Sequence, residues 1–125
     1  MSCENSRQDD IQGAIRNGLE IVVAGERDIF LDVDTDEDFA HFEKVRPLLA
    51  KWMQIQTVYM WRSKSNHRHI HIVSKVDIPI ERRVLIQACC GSDRMKELCT
   101  LFDLMQSPNN VPLLFRPKGA AITSI

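Results

Sequence analysis

Alternation of apolar and polar residues predicts two β-strands near the middle of the chain. In residues 27–34, apolar side chains occupy every second position from Ile29 to Val33 and share one face of a strand. Residues 67–75 alternate in the same way, with isoleucines on one face and histidines on the other. Each strand is therefore expected to bury one face and to carry polar groups on the other.

A period of three to four residues between apolar positions predicts helices elsewhere in the chain. Thr35 is a suitable N-cap for one of them, and three acids follow it in the first turn, where they complement the helix dipole. Pro47 is expected to kink or end that helix near Arg46. The helices predicted in this way cover residues 8–18, 36–46, about 79–90 and 93–105.

Three further strands are expected from their β-branched and aromatic content, at 19–24, 54–62 and 111–117. We expect 20–34 to form one hairpin and 54–75 another, with the last strand at an edge because it contains prolines. The order predicts an α+β fold with a single mixed or antiparallel sheet. Its helices pack on one face in a split βαβ (RRM-like) arrangement, and the other face is free.

The composition suits one domain, since 44% of 125 residues are hydrophobic. We expect a disordered N-terminus at 1–7, a single α+β domain at 8–118 and a C-terminal tail at 119–125. The net charge of -1 does not indicate an overall basic surface of the kind that binds nucleic acid. No apolar run approaches the roughly 20 residues that span a bilayer, and the polar N-terminus does not resemble a signal peptide. Four cysteines without a CxxC pair are expected to be reduced thiols of a cytoplasmic protein.

Asp32 and Asp34 form the first candidate site, because both lie on the polar face of the 27–34 strand. Their positions are roughly 7 Å apart at the rise of a strand. Two carboxylates held at that spacing suit a hard cation such as Mg²⁺ or Mn²⁺. An alternative is that these acids only begin the helix that follows.

His67, His69 and His71 form the second candidate site, as a column on one face of their strand. The turn 63–66 and Arg68 add hydroxyl, amide and cationic groups that suit phosphate oxygens. The alternatives are an exposed surface, a metal site or general acid–base catalysis. The His69-Ile70-His71 form also occurs in rolling-circle nickases, whose tyrosine nucleophile would here have to be Tyr59. A phosphoesterase with two histidine motifs would need a second motif.

Together, Leu31-Asp32-Val33-Asp34 and the segment 63–72 resemble the archaeo-eukaryotic primase (primase-polymerase) superfamily, in a minimal, phage-type form. The resemblance covers about residues 27–75 and implies a primase-type core. It implies Mg²⁺ or Mn²⁺ bound by Asp32 and Asp34, and nucleotidyl transfer in DNA replication, in a host cytoplasm if the protein is viral. The implied partners are nucleotides, DNA or RNA, and replication proteins. His69 would be catalytic beside the two acids, and the implied nucleotide-binding residues are Ser63, Lys64, Ser65, Arg68 and His71.

Members of that superfamily carry a third acid on a strand after the histidine. The acids in the corresponding part of this chain are Asp77, Asp93 and Asp103, each placed before or in a predicted helix. Two other functions remain open. One is a non-catalytic RRM-like module that binds nucleic acid through Tyr59, Trp61 and nearby basic residues. The other is a metal-dependent nuclease or phosphohydrolase that uses the same acids and histidines.

Overall fold

The computed structural model describes residues 3–63, 66–116 and 123–124, with side chains described for 8–63 and 66–116. The α+β class predicted from the sequence is confirmed. The helices are α1 (Cys3–Arg16), α2 (Asp36–Met53), α3 (Ile80–Cys89) and α4 (Arg94–Gln106). The strands are β1 (Glu20–Val23), β2 (Asp28–Val33), β3 (Ile55–Arg62), β4 (Arg68–Ser74), β5 (Leu113–Arg116) and β6 (Thr123–Ser124).

The strands form two antiparallel sheets, so the predicted single sheet is wrong. The main sheet has the order β2-β4-β3-β6, and a second sheet pairs β1 with β5. The predicted β3–β4 hairpin is present, with Val58 opposite Ile72. The predicted hairpin between β1 and β2 is absent, because β1 pairs instead with the distant β5, placing Val22 opposite Leu114.

One face of the main sheet carries the larger hydrophobic core. Ile29, Leu31 and Val33 of β2 are fully buried there, as their alternation predicts. They pack with apolar residues of β3, β4, α2 and α3. This face fixes the direction of β2, and therefore turns the side chain of Asp32 to the opposite face.

The second face of the main sheet is partly covered, so the prediction of a free face is wrong. Phe30 and Trp61 lie on it and are 0% and 4% exposed. Val22 and Leu114 of the small sheet pack against them. Since Phe30 and Trp61 together present a large apolar surface, covering it is favourable by several kcal/mol, at about 1.5–3 kcal/mol per large apolar side chain.

Helix α2 continues through Pro47 to Met53, against the prediction that it ends near residue 46. An internal proline costs about 3 kcal/mol through its missing N–H group and its ring. Burial on both sides of the proline offsets that cost, since Phe42 before it and Leu49 and Met53 after it belong to the core. Tertiary packing therefore overrides the local signal.

Strand β2 lies at the edge of the main sheet, and polar groups from the α3–α4 region close that edge. The N–H group of Phe30 donates to Gln87 Oε1 at 3.1 Å, and the N–H group of Asp32 donates to Ser92 Oγ at 2.9 Å. The N–H group of Asp93 donates to the carbonyl of Asp32 at 2.8 Å. An exposed strand edge invites pairing with other chains, so these bonds both satisfy and protect the strand.

Glu97 of α4 hydrogen-bonds to Gln87 and Ser92, the two side chains that accept from the backbone of β2. It is 2% exposed and accepts from Gln87 Nε2 at 2.5 Å and from Ser92 Oγ at 3.3 Å. Burial raises the pKa of its carboxyl group, although Lys96 and the hydrogen bonds from Gln87 and Ser92 act in the opposite direction. Backbone, amide, hydroxyl and carboxyl groups thus form one connected network next to β2.

The ends of the chain differ from the predicted domain bounds. Helix α1 begins at Cys3, inside the segment 1–7 for which disorder is predicted, and it lies against α4 and β1. Strand β6 falls in the predicted tail 119–125, whose other residues lie outside the described part of the chain. In the described ranges, no helix has the length and apolar character needed to cross a membrane.

The cysteines are not all reduced thiols, which corrects the expectation from the sequence. Cys99 is disulfide-bonded, whereas Cys89 and Cys90 are free. Cys90 lies in the core, where burial, with a further contribution from Cys89, raises the pKa of its thiol to about 12. That thiol therefore stays protonated near neutral pH and is unreactive as a nucleophile.

Candidate functional site

The antiparallel pairing of β2 with β4 places the acids of β2 beside the histidines of β4 on one face of the sheet. Asp32 lies directly opposite His69 in the antiparallel pair, and their Oδ1 and Nδ1 atoms are 3.5 Å apart. One step further along, Asp34 Oδ1 is 3.2 Å from His67 Nδ1. The structure therefore brings together Asp32, Asp34 and His69, the three residues predicted to be catalytic.

Asp93 adds a third carboxylate to this group. Its N–H group donates to the backbone of Asp32, and its side chain shares a hydrogen bond with Asp34. Asp93 is also the N-cap of α4, where Oδ1 accepts from the N–H group of Met95 at 2.9 Å. Of the three candidate third acids, Asp93 is thus the one that contacts the β2 pair.

Like charges and burial act together on Asp34. Burial is the largest cause that raises the pKa of its carboxyl group, and the charges of Asp32 and Asp93 and the hydrogen bond to Asp93 raise it further. His67 acts in the opposite direction. Carboxylates this close repel one another when ionised, so the cluster favours a proton or a cation between them.

His69 is held between β2 and the aromatic part of the sheet. Its ring stacks on Trp61 with 5.8 Å between ring centroids and 20° between planes. Burial lowers the pKa of His69, Asp32 opposes that shift, and Lys96 and His67 add to it. The imidazole is therefore neutral over a wider range of pH than an exposed histidine.

A cavity of about 590 Å³ opens beside this cluster, which is within the size range of small-molecule sites. Asp32, His69 and Asp93 line one end of it. Its remaining walls carry further acids and one lysine from α1 and α4, and apolar residues from β5; they include Asp9, Asp10, Met95, Lys96, Asp103, Pro112, Leu113 and Phe115. We call this cavity the acidic pocket.

A second cavity of about 670 Å³ also borders the carboxylates. Asp34 and Asp93 form part of its lining, together with His41, Cys89 and Arg94. Asp93 lines both cavities, whereas Asp32 lines only the acidic pocket and Asp34 lines only the second cavity.

Arg68 and Ser63, two of the predicted nucleotide-binding residues, do not line the acidic pocket. Arg68 is on the opposite face of β4, where it pairs with Asp36 at 2.8 Å and lies 4.3 Å above the ring of Phe39. Ser63 forms the β3–β4 turn, in which its Oγ accepts from the N–H group of His67 at 3.2 Å. The predicted binding residues Lys64 and Ser65 lie outside the described residues.

His71 is on the same face as His69 but is buried below the surface. Its Nε2 is 2.8 Å from Asp28 Oδ1, and its ring packs edge-on against Phe30. Its Nδ1 is buried without a hydrogen-bond partner among the described residues. The ring therefore supports the sheet at a point that a ligand in the acidic pocket does not reach, since His71 is not part of the pocket lining.

Sequence reasoning missed two contributors to the acidic pocket, Asp10 and Lys96. Burial raises the pKa of Asp10, and the charges of Asp9 and Asp32 raise it further, while Lys96 lowers it. Neither residue belongs to a recognisable motif, and the packing of α1 against α4 brings the two helices to the same cavity. Asp77 is elsewhere, in an exposed pair with Arg27.

The chemistry of these side chains suits a hard cation, because carboxylate oxygens are the ligands that Mg²⁺ and Mn²⁺ prefer. Within the residues that the structure describes, no group of three or more Asp, Glu, His or Cys side chains is already arranged around one metal position. The direct contact is the pair of Asp34 and Asp93. Mg²⁺ commonly binds through one or two carboxylates and completes its shell with substrate phosphates and water, so this pair fits that mode.

Comparisons with models of protein families, with curated proteins and with solved structures find no match to this chain.

Proposed function

We propose that the acidic pocket binds a nucleotide together with Mg²⁺ or Mn²⁺, and that the protein is a minimal metal-dependent nucleotidyltransferase of the primase-polymerase type. The observation that carries the proposal is that Asp32, Asp93 and His69 together line a cavity of nucleotide size, with Asp34 hydrogen-bonded to Asp93 beside them. The fold around the site is α+β, and the primase-type core is part of the proposal.

The charge of the acidic pocket supports metal dependence. Five aspartates line it, against the single cation Lys96 and a histidine whose pKa is lowered. A bare triphosphate would meet net repulsion there, since two unit charges 4 Å apart interact by about 1–4 kcal/mol near a protein surface. A metal–nucleotide complex removes that repulsion, because the cation neutralises both the carboxylates and the phosphates.

In this proposal Asp34 and Asp93 would supply oxygen ligands to the metal. Asp32 would add a third negative charge that attracts the cation. The bound metal would polarise the phosphate that is attacked and offset the charge that develops on it. The carboxyl groups would then lose the shared hydrogen bond, because a cation takes the place of the proton between them.

His69 would hold or move a proton at the ring nitrogen that faces away from Asp32. Because Nδ1 lies 3.5 Å from the Asp32 carboxylate, the tautomer with hydrogen on Nδ1 is favoured. Nε2 is then free to accept a proton from an attacking hydroxyl group and, once protonated, to donate to a phosphate oxygen. Stacking on Trp61 restricts the ring to this orientation.

Transfer is favoured over hydrolysis by the second cavity. A reaction between two substrates needs a position for the donor and one for the acceptor on opposite sides of the reacting groups. Asp93 lines both cavities, with Asp32 in the lining of one and Asp34 in the lining of the other. The 3′-hydroxyl of an acceptor would attack the α-phosphate of the donor, form the new P–O bond and release pyrophosphate.

A thermal-shift experiment tests the binding part of the proposal. Mn²⁺ with a nucleoside triphosphate is expected to raise the melting temperature by more than the two added separately. Asp34→Asn and Asp93→Asn should remove this joint effect, and Asn still caps α4 in the second variant. Asp34→Asn should also raise the melting temperature without ligands, since it removes like-charge repulsion.

Asp77→Asn is the matched control, because Asp77 is exposed, pairs with Arg27 and does not line either cavity. It should keep the full joint effect. Absence of any joint effect in the parent protein would overturn metal-dependent nucleotide binding. Binding without extension of a labelled primer, but with release of free phosphate, would replace nucleotidyl transfer by hydrolysis.

A further inference from the structure

The outer face of α4 exposes four large apolar side chains, and three of them, Leu98, Phe102 and Met105, do not line the acidic pocket. Met95, Leu98, Phe102 and Met105 are 66%, 42%, 47% and 80% exposed. Their steps of three, four and three residues place them in one stripe along the helix, which is the spacing of a coiled-coil seam. We call these four residues the α4 stripe. A continuous apolar stripe on a surface helix indicates an interface.

The α4 stripe has a symmetry that points to its occupant. Thr100 is its midpoint, with methionines five positions away on either side and Leu98 and Phe102 two positions away. When two such helices run antiparallel around a two-fold axis at Thr100, each methionine meets a methionine and each Leu98 meets a Phe102. A two-fold interface requires this reciprocity, in which residue i contacts residue j and j contacts i.

We propose that α4 packs antiparallel on α4 of a second copy of this chain, forming a two-fold homodimer. The charges at the helix ends agree with this direction. Arg94 begins α4 and Gln106 ends it, so antiparallel packing places Arg94 near the neutral Gln106 of the other copy. Parallel packing would place the two Arg94 side chains side by side, where like charges repel.

The opposite side of α4 is already occupied, which leaves the α4 stripe as the side available for a partner. Glu97 and Asp103 are buried against the rest of the domain. Pairing through the α4 stripe therefore requires no change in the fold. One helix per copy buries less than the roughly 1,600 Å² of a standard interface, so a concentration-dependent dimer in the micromolar range is expected.

Sedimentation equilibrium over a concentration series tests the dimer. The parent protein is expected to pass from monomer to dimer, and Met95→Glu and Met105→Lys should each weaken association by at least about tenfold, ~1.4 kcal/mol. Leu85→Glu is the matched control. Leu85 is 60% exposed but lies on α3, so this variant should associate like the parent.

Mixing the two variants tests the direction of packing. In an antiparallel pair Glu at 95 in one copy faces Lys at 105 in the other, so an equimolar mixture should recover the dimer, whereas a parallel pair brings these positions no closer. A parent that stays monomeric at the highest concentrations, a mixture that stays monomeric, or a Leu85→Glu variant that loses the dimer would each overturn the proposal.

Circular dichroism establishes that the variants are folded, as expected for substitutions at exposed positions. The joint thermal shift by Mn²⁺ and a nucleoside triphosphate should persist in Met105→Lys, because Met105 does not line the acidic pocket. Failure of the dimer and failure of the nucleotide site are therefore separate results.

Discussion

Replacing Ser92 by alanine tests whether side chains seal the edge of β2. Ser92 is 3% exposed, and its Oγ accepts from the N–H group of Asp32 at 2.9 Å while it donates to Glu97 at 3.3 Å. Ser92→Ala removes both bonds and introduces no bulk. The N–H group of Asp32 then has no partner on this edge, and Glu97 loses one of its donors.

The expected loss of unfolding free energy is about 2 kcal/mol. A buried polar group left without its hydrogen bond costs about 1–3 kcal/mol, and the cost is greater when the lost partner is ionised. For a chain of this length, that loss corresponds to a melting temperature lower by roughly 6–10 °C. The joint thermal shift by Mn²⁺ and nucleotide should also shrink, because Asp32 and Asp93 are no longer held in register.

Urea unfolding followed by circular dichroism measures the loss, with Ser107→Ala as the control. Ser107 Oγ accepts only one described bond, from the exposed N–H group of Asn109 at 3.3 Å, so its replacement should cost less than about 0.5 kcal/mol. Equal losses in the two variants would refute the argument that Ser92 substitutes for a neighbouring strand.

Four further substitutions probe the fold. Because the pKa of Glu97 is raised above its ordinary 4.5, the folded protein binds a proton that the unfolded protein has lost, and its stability falls as pH rises from 4.5. Glu97→Gln should therefore become more stable relative to the parent as pH rises. Urea unfolding from pH 4.5 to 8 would contradict this if the difference in unfolding free energy between the two proteins stayed constant. Gly91→Ala should cost roughly 2–3 kcal/mol, since φ is +96° and a Cβ would lie 2.6 Å from the carbonyl of Asp38; Gly13→Ala, in open space on α1, should instead stabilise by about 0.5–1 kcal/mol. Phe30→Ala should cost about 3–5 kcal/mol in thermal or urea unfolding, and a loss below about 1 kcal/mol would show that the second core is not packed as described.

The central part of the site follows from the sequence, because the period of two along β2 and β4 is a strong local signal. It predicts the buried Ile29 face, and it places Asp32 and His69 on the other face. The same period also places Arg68 on the other face of β4 from His69, and there its guanidinium group pairs with Asp36. The implied role of Arg68 as a nucleotide-binding residue beside His69 does not agree with that rule, because the two side chains lie on different faces of β4.

The second sheet could not be read from local sequence, because its two strands are about ninety residues apart. Glu20 pairs with Arg116, and no turn or spacing links them along the chain. A signal was nevertheless present on the opposite face of the main sheet. Phe30, Tyr59 and Trp61 are too apolar for an open polar face, and covering them requires further structure.

Asp93 shows why the third acid of the site was not identifiable in advance. An aspartate at the start of a helix is ordinarily an N-cap, and the residues next to Asp93 in the sequence do not indicate a metal ligand. It reaches Asp34 because its backbone N–H group bonds to Asp32 and Ser92 next to it bonds to the same strand. Closing the edge of β2 and delivering the third carboxylate are therefore performed by the same two residues. This connection predicts that a change in the α3–α4 turn alters stability and metal–nucleotide binding together. An equally destabilising change in β1, which lines neither cavity, should alter stability with less effect on metal–nucleotide binding.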